Sequence, residues 1–137
     1  MNDKTLFTKI LGIKLPWFIS RIEADTIKDQ VDIYLEHEPD IRVACPECGE
    51  FNPMHDHSPE RVYRHLNTCQ MSTFIHVRLP RAKCPIHGVK QIISEFGENN
   101  SELTFSMEKF VIDLSHECSA SAVERLFGLS WDVCWNV

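Results

Sequence analysis

Two short clusters constrain this chain more than any other feature: Cys45-Pro-Glu-Cys48 followed by Gly49, and Cys84-Pro-Ile-His87 followed by Gly88. A two-residue gap lets one tight turn aim two donor atoms at a common point, and zinc favours four tetrahedral donors drawn from thiolate and imidazole. Both turns carry proline at the second position, and 35 residues separate them. Cys45, Cys48, Cys84 and His87 are therefore the candidate ligands of one structural zinc ion per chain. Four protein donors close the shell and leave no position for a reactive water, which speaks against a zinc enzyme. Metal binding in small fingers of this kind is worth on the order of 10–16 kcal/mol, so both turns are expected to be poorly folded without it.

Two other histidines follow the first cluster closely. His55 and His57 could replace His87 or hold a second metal, but neither has further donors at ligand spacing. His37 and His116 each precede a glutamate, yet the zinc deaminase pattern of His-x-Glu with Pro-Cys-x-x-Cys is absent.

The remaining composition bounds the rest. In 137 residues, 43% hydrophobic and 25% charged, the chain has the make-up of a globular domain. It has no apolar run near the roughly 20 residues that cross a bilayer, so no membrane partner is expected. The start, Met1-Asn2-Asp3-Lys4, lacks a secretory layout, and the expected compartment is the cytoplasm, where thiols stay reduced. Cys69, Cys118 and Cys134 then read as small buried apolar residues. The net charge of −6 is uneven. Residues 41–97 carry seven Lys and Arg against five Asp and Glu, whereas residues 98–137 carry two against seven. Only a local basic patch beside the clusters could attract phosphates.

Periodicity predicts an α+β fold: a small antiparallel β zinc-ribbon-like domain over 1–97, then a three-helix, helix-turn-helix-like tail over 102–137. Leu6 to Leu11 reads as a short helix ended by Gly12 and Pro16. Trp17 to Ala24 and the alternating Val31, Ile33 and Leu35 read as a hairpin. Residues 45–60 read as loop. Arg61 to Leu66, Met71 to Leu79 and Val89 to Ile93 read as strands, and Gly97 to Ser101 as a polar linker. Beyond it the period becomes 3.6, with Met107, Phe110, Val111, Leu114 and Cys118 on one helix face. Ser121-Ala-Val-Glu124 reads as a capping box opening a second helix with Val123, Leu126 and Phe127 inward. Gly128 would end it, and Ser130 would cap a third helix from Trp131. Helix, turn and capped helix is also the order of a helix-turn-helix, whose last helix would present Trp131, Asp132, Trp135 and Asn136 to base edges. An ordinary helical subdomain fits the same pattern, and the acidic charge of the tail favours it.

The order of parts resembles the N-terminus of ISL-three-type insertion-sequence transposases. The resemblance is carried by Leu-Phe-x-Lys-Ile-Leu-Gly-Ile (6–13), Cys-Pro-x-Cys-Gly (45–49), Arg-x-Tyr-Arg-His-Leu (61–66), Leu-Pro-Arg-Ala-Lys-Cys-Pro (79–85) and Ala-Val-Glu-Arg-Leu-Phe-Gly-Leu-Ser (122–130). It implies a zinc-binding domain and a helix-turn-helix that recognise double-stranded DNA at transposon ends, with a homodimer left open. A catalytic domain with an Asp/Asp/Glu triad would normally follow, so this chain is expected to be a non-catalytic piece. His87 stands where many relatives would show Cys. Arg61, Arg64 and His65 match the family motif and are the expected phosphate or groove contacts. Arg78, Arg81 and Lys83 are expected beside them, and Trp131 and Asn136 on the reading helix. The competing view of Arg61–Leu66 is that Tyr63 and Leu66 pack in the core while His65 hydrogen-bonds the backbone. The competing function is a zinc-stabilised protein-interaction module that does not bind DNA.

Overall fold

A computed structural model of the chain describes residues 2–130 and shows an α+β fold. Helix α1 (Asp3–Leu11) is capped by the Asn2 side chain, which accepts from the Thr5 amide at 2.8 Å. It ends at Gly12, whose φ of 69° is the left-handed conformation that glycine adopts without a Cβ penalty. Strands β1 (Trp17–Asp25) and β2 (Gln30–His37) follow, joined by a turn in which Asp25 Oδ1 accepts from the amides of Ile27 and Lys28. A connection this short joins antiparallel neighbours, as the hairpin pattern predicts. Val31, Ile33 and Leu35 are all buried.

Strands β3 (Arg42–Ala44) and β4 (Phe51–His57) come next, then β5 (Arg61–Thr68), β6 (Met71–Val77), β7 (Pro80–Cys84) and β8 (Gly88–Gln91). They form two four-stranded sheets, ordered β1-β2-β6-β5 and β3-β4-β7-β8. Strand β4 corrects the expectation of a loop over 45–60. Its register sets Val43 opposite Asn52 and Arg42 opposite Pro53, and its pairing with β7 shifts between Met54 and Asp56. A proline and a bulge inside one strand hide it from propensity, because both interrupt the regular ladder.

Helix α2 (Phe105–Ser115) is capped by Thr104, and α3 (Ala120–Phe127) by Ser119. The cap of α3 lies two residues before the expected Ser121: the Ser119 hydroxyl accepts from the Ala122 amide at 3.1 Å. Gly128 closes α3 with a φ of 67°, as predicted. Leu126 is 64% exposed and so does not face inward, whereas Val123 is buried. The expected third helix from Trp131 lies outside the described residues. Among the described residues, no helix is long and apolar enough to cross a membrane.

The chain divides into two compact units, each discontinuous in sequence. The first holds the residues up to Glu23, Ile33–Arg61 and His76–Ser94, and it buries Trp17, Ile19, Ile33, Leu35, Val43, Val77, Leu79 and Ala82. The second holds Ala24–Asp32, Val62–Ile75 and the chain from Glu95 on. It is built around Leu103, Met107, Val111, Val123 and Leu129, with Leu66, Phe110, Leu114, Cys118 and Phe127 packed against them. Gly97 belongs to this interior and not to a linker. A Cβ there would meet the Tyr63 ring and the Leu103 carbonyl at 2.6 Å. Cys69 is exposed and Cys118 half-buried, so the expected burial of free thiols fails at Cys69. Its φ of 59° places it at the tip of the β5–β6 turn.

Candidate metal centre

The β3-β4-β7-β8 sheet positions both clusters. The first turn leaves β3 and returns into β4, with the Cys45 amide donating to the Glu50 carbonyl and the Gly49 amide to the Cys45 carbonyl. The second turn joins β7 to β8, where Cys84 sits opposite Gly88. Gly49 and Gly88 have φ of 74° and 77°, which is why a glycine follows each turn.

The four candidate ligands converge. Their donor atoms lie within 4.8 Å of one another, and among the described residues no other group of three or more His, Cys, Asp and Glu does so. Cys48 Sγ is 3.8 Å from Cys84 Sγ, and His87 Nδ1 is 3.6 Å from the sulfurs of both Cys45 and Cys84. Tetrahedral zinc with its usual bond lengths demands about 3.8 Å between two sulfurs and about 3.6 Å between sulfur and nitrogen. The donor set therefore fits structural zinc in spacing as well as in kind.

Electrostatics point the same way. Amides of His87 and Ile86 directed at the Cys84 sulfur pull its pKa down to about 6. The Cys48 and Glu47 amides lower that of Cys45. These are the thiolate-stabilising amides expected of a tight ligand turn. A carboxylate adjoins the cluster, with Glu47 Oε2 3.5 Å from His87 Nε2 and Glu47 Oε1 3.6 Å from Lys90 Nζ.

Of the alternative donors, His57 is engaged elsewhere and His55 is exposed. His57 Nε2 lies 2.7 Å from His37 Nε2, and His37 also stacks edge-on against Trp17. Two histidines twenty residues apart carry no sequence signal of that pairing. Neither His55 nor His57 belongs to the metal group.

The expected DNA contacts divide into groups. Arg78 and Lys83 are exposed, and Arg61 is half-buried at the start of β5. Arg81 is half-buried in a bidentate pair with Asp56 across the β4–β7 ladder. Arg64 is only 6% exposed. Its guanidinium donates to the carbonyls of His65 and Phe127 and to Asn67 Oδ1. His65 Nδ1 meets the Thr104 hydroxyl at 2.8 Å, a side-chain partner where a backbone one was the competing expectation. Tyr63 is fully buried. Trp131 and Asn136 lie outside the described residues.

Residues 41–87 match the family described as zinc-finger of transposase IS204/IS1001/IS1096/IS1165. The transposase for insertion sequence element IS1557 from two strains of Mycobacterium tuberculosis, CDC 1551 / Oshkosh and ATCC 25618 / H37Rv, is 26% identical over 136 residues. That alignment covers 96% of this chain and 31% of each relative, so the chain spans about a third of their length. No solved structure matches. Matched ribbon, converging donors and similarity along nearly all of this chain agree with the resemblance read from the motifs: residues 41–87 are similar to the zinc finger of insertion-sequence transposases, within a chain similar to about a third of one such transposase in length.

Proposed function

We propose that this chain is the non-catalytic, DNA-recognising N-terminal portion of a transposase, acting in the cytoplasm on double-stranded DNA at the ends of its element. The observation that carries the proposal is the similarity to a transposase along 96% of the chain. In this reading Cys45, Cys48, Cys84 and His87 hold the zinc, residues 1–97 form the zinc-bearing part, and 102–137 a helix-turn-helix-like part that includes Trp131 and Asn136. Exposed Arg78 and Lys83, with Arg61 and Arg81, are the phosphate contacts. Arg64 and His65 support the reading from inside, as organisers of the strand that carries Arg61.

A mobility-shift assay with the zinc-loaded chain and duplexes of the element's terminal repeats, at several salt concentrations, tests it. Four phosphate contacts predict log K falling with log salt at a slope of about −3.6. Absent binding, or equal affinity for an unrelated duplex, sinks the proposal. The rival reading, a zinc-stabilised protein-interaction module, is favoured by the net charge of −6 and by the 76% exposure of Ile86 and 63% exposure of Phe51. It expects no salt-dependent shift at all.

A further inference from the structure

We propose that Glu47 is a positioning residue for His87: its carboxylate, steadied by Lys90, holds the imidazole with Nδ1 turned to the zinc. The geometry assigns the two ring nitrogens different tasks. Nδ1 is the atom that converges with the sulfurs, 3.6 Å from both Cys45 and Cys84. Nε2 points the other way, 3.5 Å from Glu47 Oε2. An imidazole that gives its Nδ1 lone pair to a metal must carry its proton on Nε2, and a carboxylate facing Nε2 selects that tautomer and that ring orientation.

Glu47 is placed to serve both turns. Its backbone lies in the first, where its amide faces the Cys45 sulfur, and its carboxylate reaches the histidine of the second. Lys90 on β8 approaches the other carboxylate oxygen at 3.6 Å. Three thiolates and one divalent ion leave a net charge of about −1, and an unaccompanied carboxylate would deepen it; the ammonium offsets that charge. A thiolate in the fourth position would have no proton to place and no use for the carboxylate. Glu47 therefore belongs functionally with His87 and not with the turn in general.

The inference rests on the four-ligand zinc reading and is independent of DNA binding. Zinc affinity is measured by competition with a chromophoric chelator at pH 7.5, and long-range 1H–15N NMR on the zinc-loaded chain reports the state of His87. Outer-shell partners of metal ligands typically contribute 10–100-fold in affinity. With Glu47 49% exposed, Glu47→Ala is expected to weaken zinc about 10-fold, the low end of that range. Glu47→Gln, whose amide oxygen still accepts a hydrogen bond, should lose less. In the His87→Cys background Glu47→Ala should change affinity less than about twofold, because no imidazole remains to be oriented. The spectrum should show Nδ1 bound and Nε2 protonated.

An equal loss in both backgrounds would reduce Glu47 to a generic part of the turn and overturn the proposal. So would unchanged affinity in Glu47→Ala, or a spectrum with Nε2 on the metal. If His87→Cys fails to fold, the comparison of Glu47→Ala with Glu47→Gln decides the matter: equal losses overturn the proposal, and a smaller loss in Glu47→Gln supports it. Unchanged affinity in Cys48→Ser would instead remove the ligand set itself, separating the two failures.

Discussion

At the scale of single residues, Arg64 shows how a charge that reads as a DNA contact can be engaged inside a fold. Its guanidinium meets three acceptors and lies 5.6 Å from the centroid of the Phe74 ring. Hydrogen bonds to charged groups contribute about 1.5–3 kcal/mol each when a partner would otherwise be buried unpaired. Arg64→Ala should therefore lower stability by about 2–4 kcal/mol. Arg64→Lys should recover little, since an ammonium lacks the planar fork. Urea melts of the zinc-loaded chain measure this; unchanged stability with lost DNA affinity would return Arg64 to the contact set. The neighbouring imidazole gives a pH prediction. Burial, then the Arg64 charge, holds the His65 pKa below its ordinary value of 6.5. The folded state resists the proton that the unfolded chain accepts, so this contribution is complete above pH 6.5 and is lost as pH falls through the folded value. NMR should place the His65 midpoint below 6.5, and His65→Gln should flatten the acid limb of the stability curve. Arg-x-Tyr-Arg-His-Leu was legible only in part: the competing view put Tyr63 in the core and His65 in an internal hydrogen bond, but nothing in the motif marked Arg64 as buried. Tyr63 and Arg64 are adjacent and both buried, Tyr63 against Gly97 and the Arg64 guanidinium against Asn67 and the Phe127 carbonyl. A strand covered on two faces loses the period-two signal by which inward and outward positions are told apart.

At the scale of elements, legibility followed regularity. Strands β2 and β6 alternate cleanly, and α2 repeats at 3.6, so one burial pattern repeats along each of them. Elements held by a particular contact were missed or shifted. Strand β4 contains Pro53 and a bulge, yet it is held on both sides by ladder bonds to β3 and β7. The cap of α3 moved from Ser121 to Ser119 because the turn after α2 closes at Cys118, whose amide donates to the Leu114 carbonyl, and this frees Ser119 to meet the Ala122 amide. Two serines one turn-half apart look alike in sequence, and substitution separates them. Ser119→Ala should cost about 1 kcal/mol in thermal or urea unfolding, and Ser121→Ala within about 0.5 kcal/mol of nothing. The reverse order would restore the capping box. The segment after β8 is tested in the same way. Gly97 lies against Tyr63 and Leu103 with no room for a methyl group, so Gly97→Ala should destabilise by about 1–3 kcal/mol through overpacking.

For the whole molecule, the question is which part depends on the metal. The ribbon sheet buries few apolar side chains of its own: Val43, Pro80 and Ala82, with the ligands Cys45 and Cys84. Burying a large aliphatic side chain is worth about 1.5–3 kcal/mol, which for so small a set falls short of the entropy of ordering the strand and turn residues 42–57 and 80–91. Zinc binding on the order of 10 kcal/mol makes up that difference, as in other small metal-held folds. The second unit has an apolar interior without any ligand: Leu103, Met107, Val111, Val123 and Leu129, with Phe110 and Phe127 in edge-to-face contact at 5.3 Å. Chelation should therefore act unevenly. Amide hydrogen exchange after zinc removal is expected to lose protection across β3, β4, β7 and β8 while α2 and α3 keep theirs, and added zinc should reverse the change. Cys45→Ser should reproduce the loss with zinc present, because Cys48, Cys84 and His87 alone leave the tetrahedral shell one thiolate short. Uniform loss of protection would mean that the metal holds the entire chain together, and no loss would mean that strand pairing alone holds the ribbon. The uneven outcome would identify the zinc as the local clip of one sheet, and it would make any DNA affinity that disappears with the metal attributable to the face carrying Arg81 and Lys83 on β7.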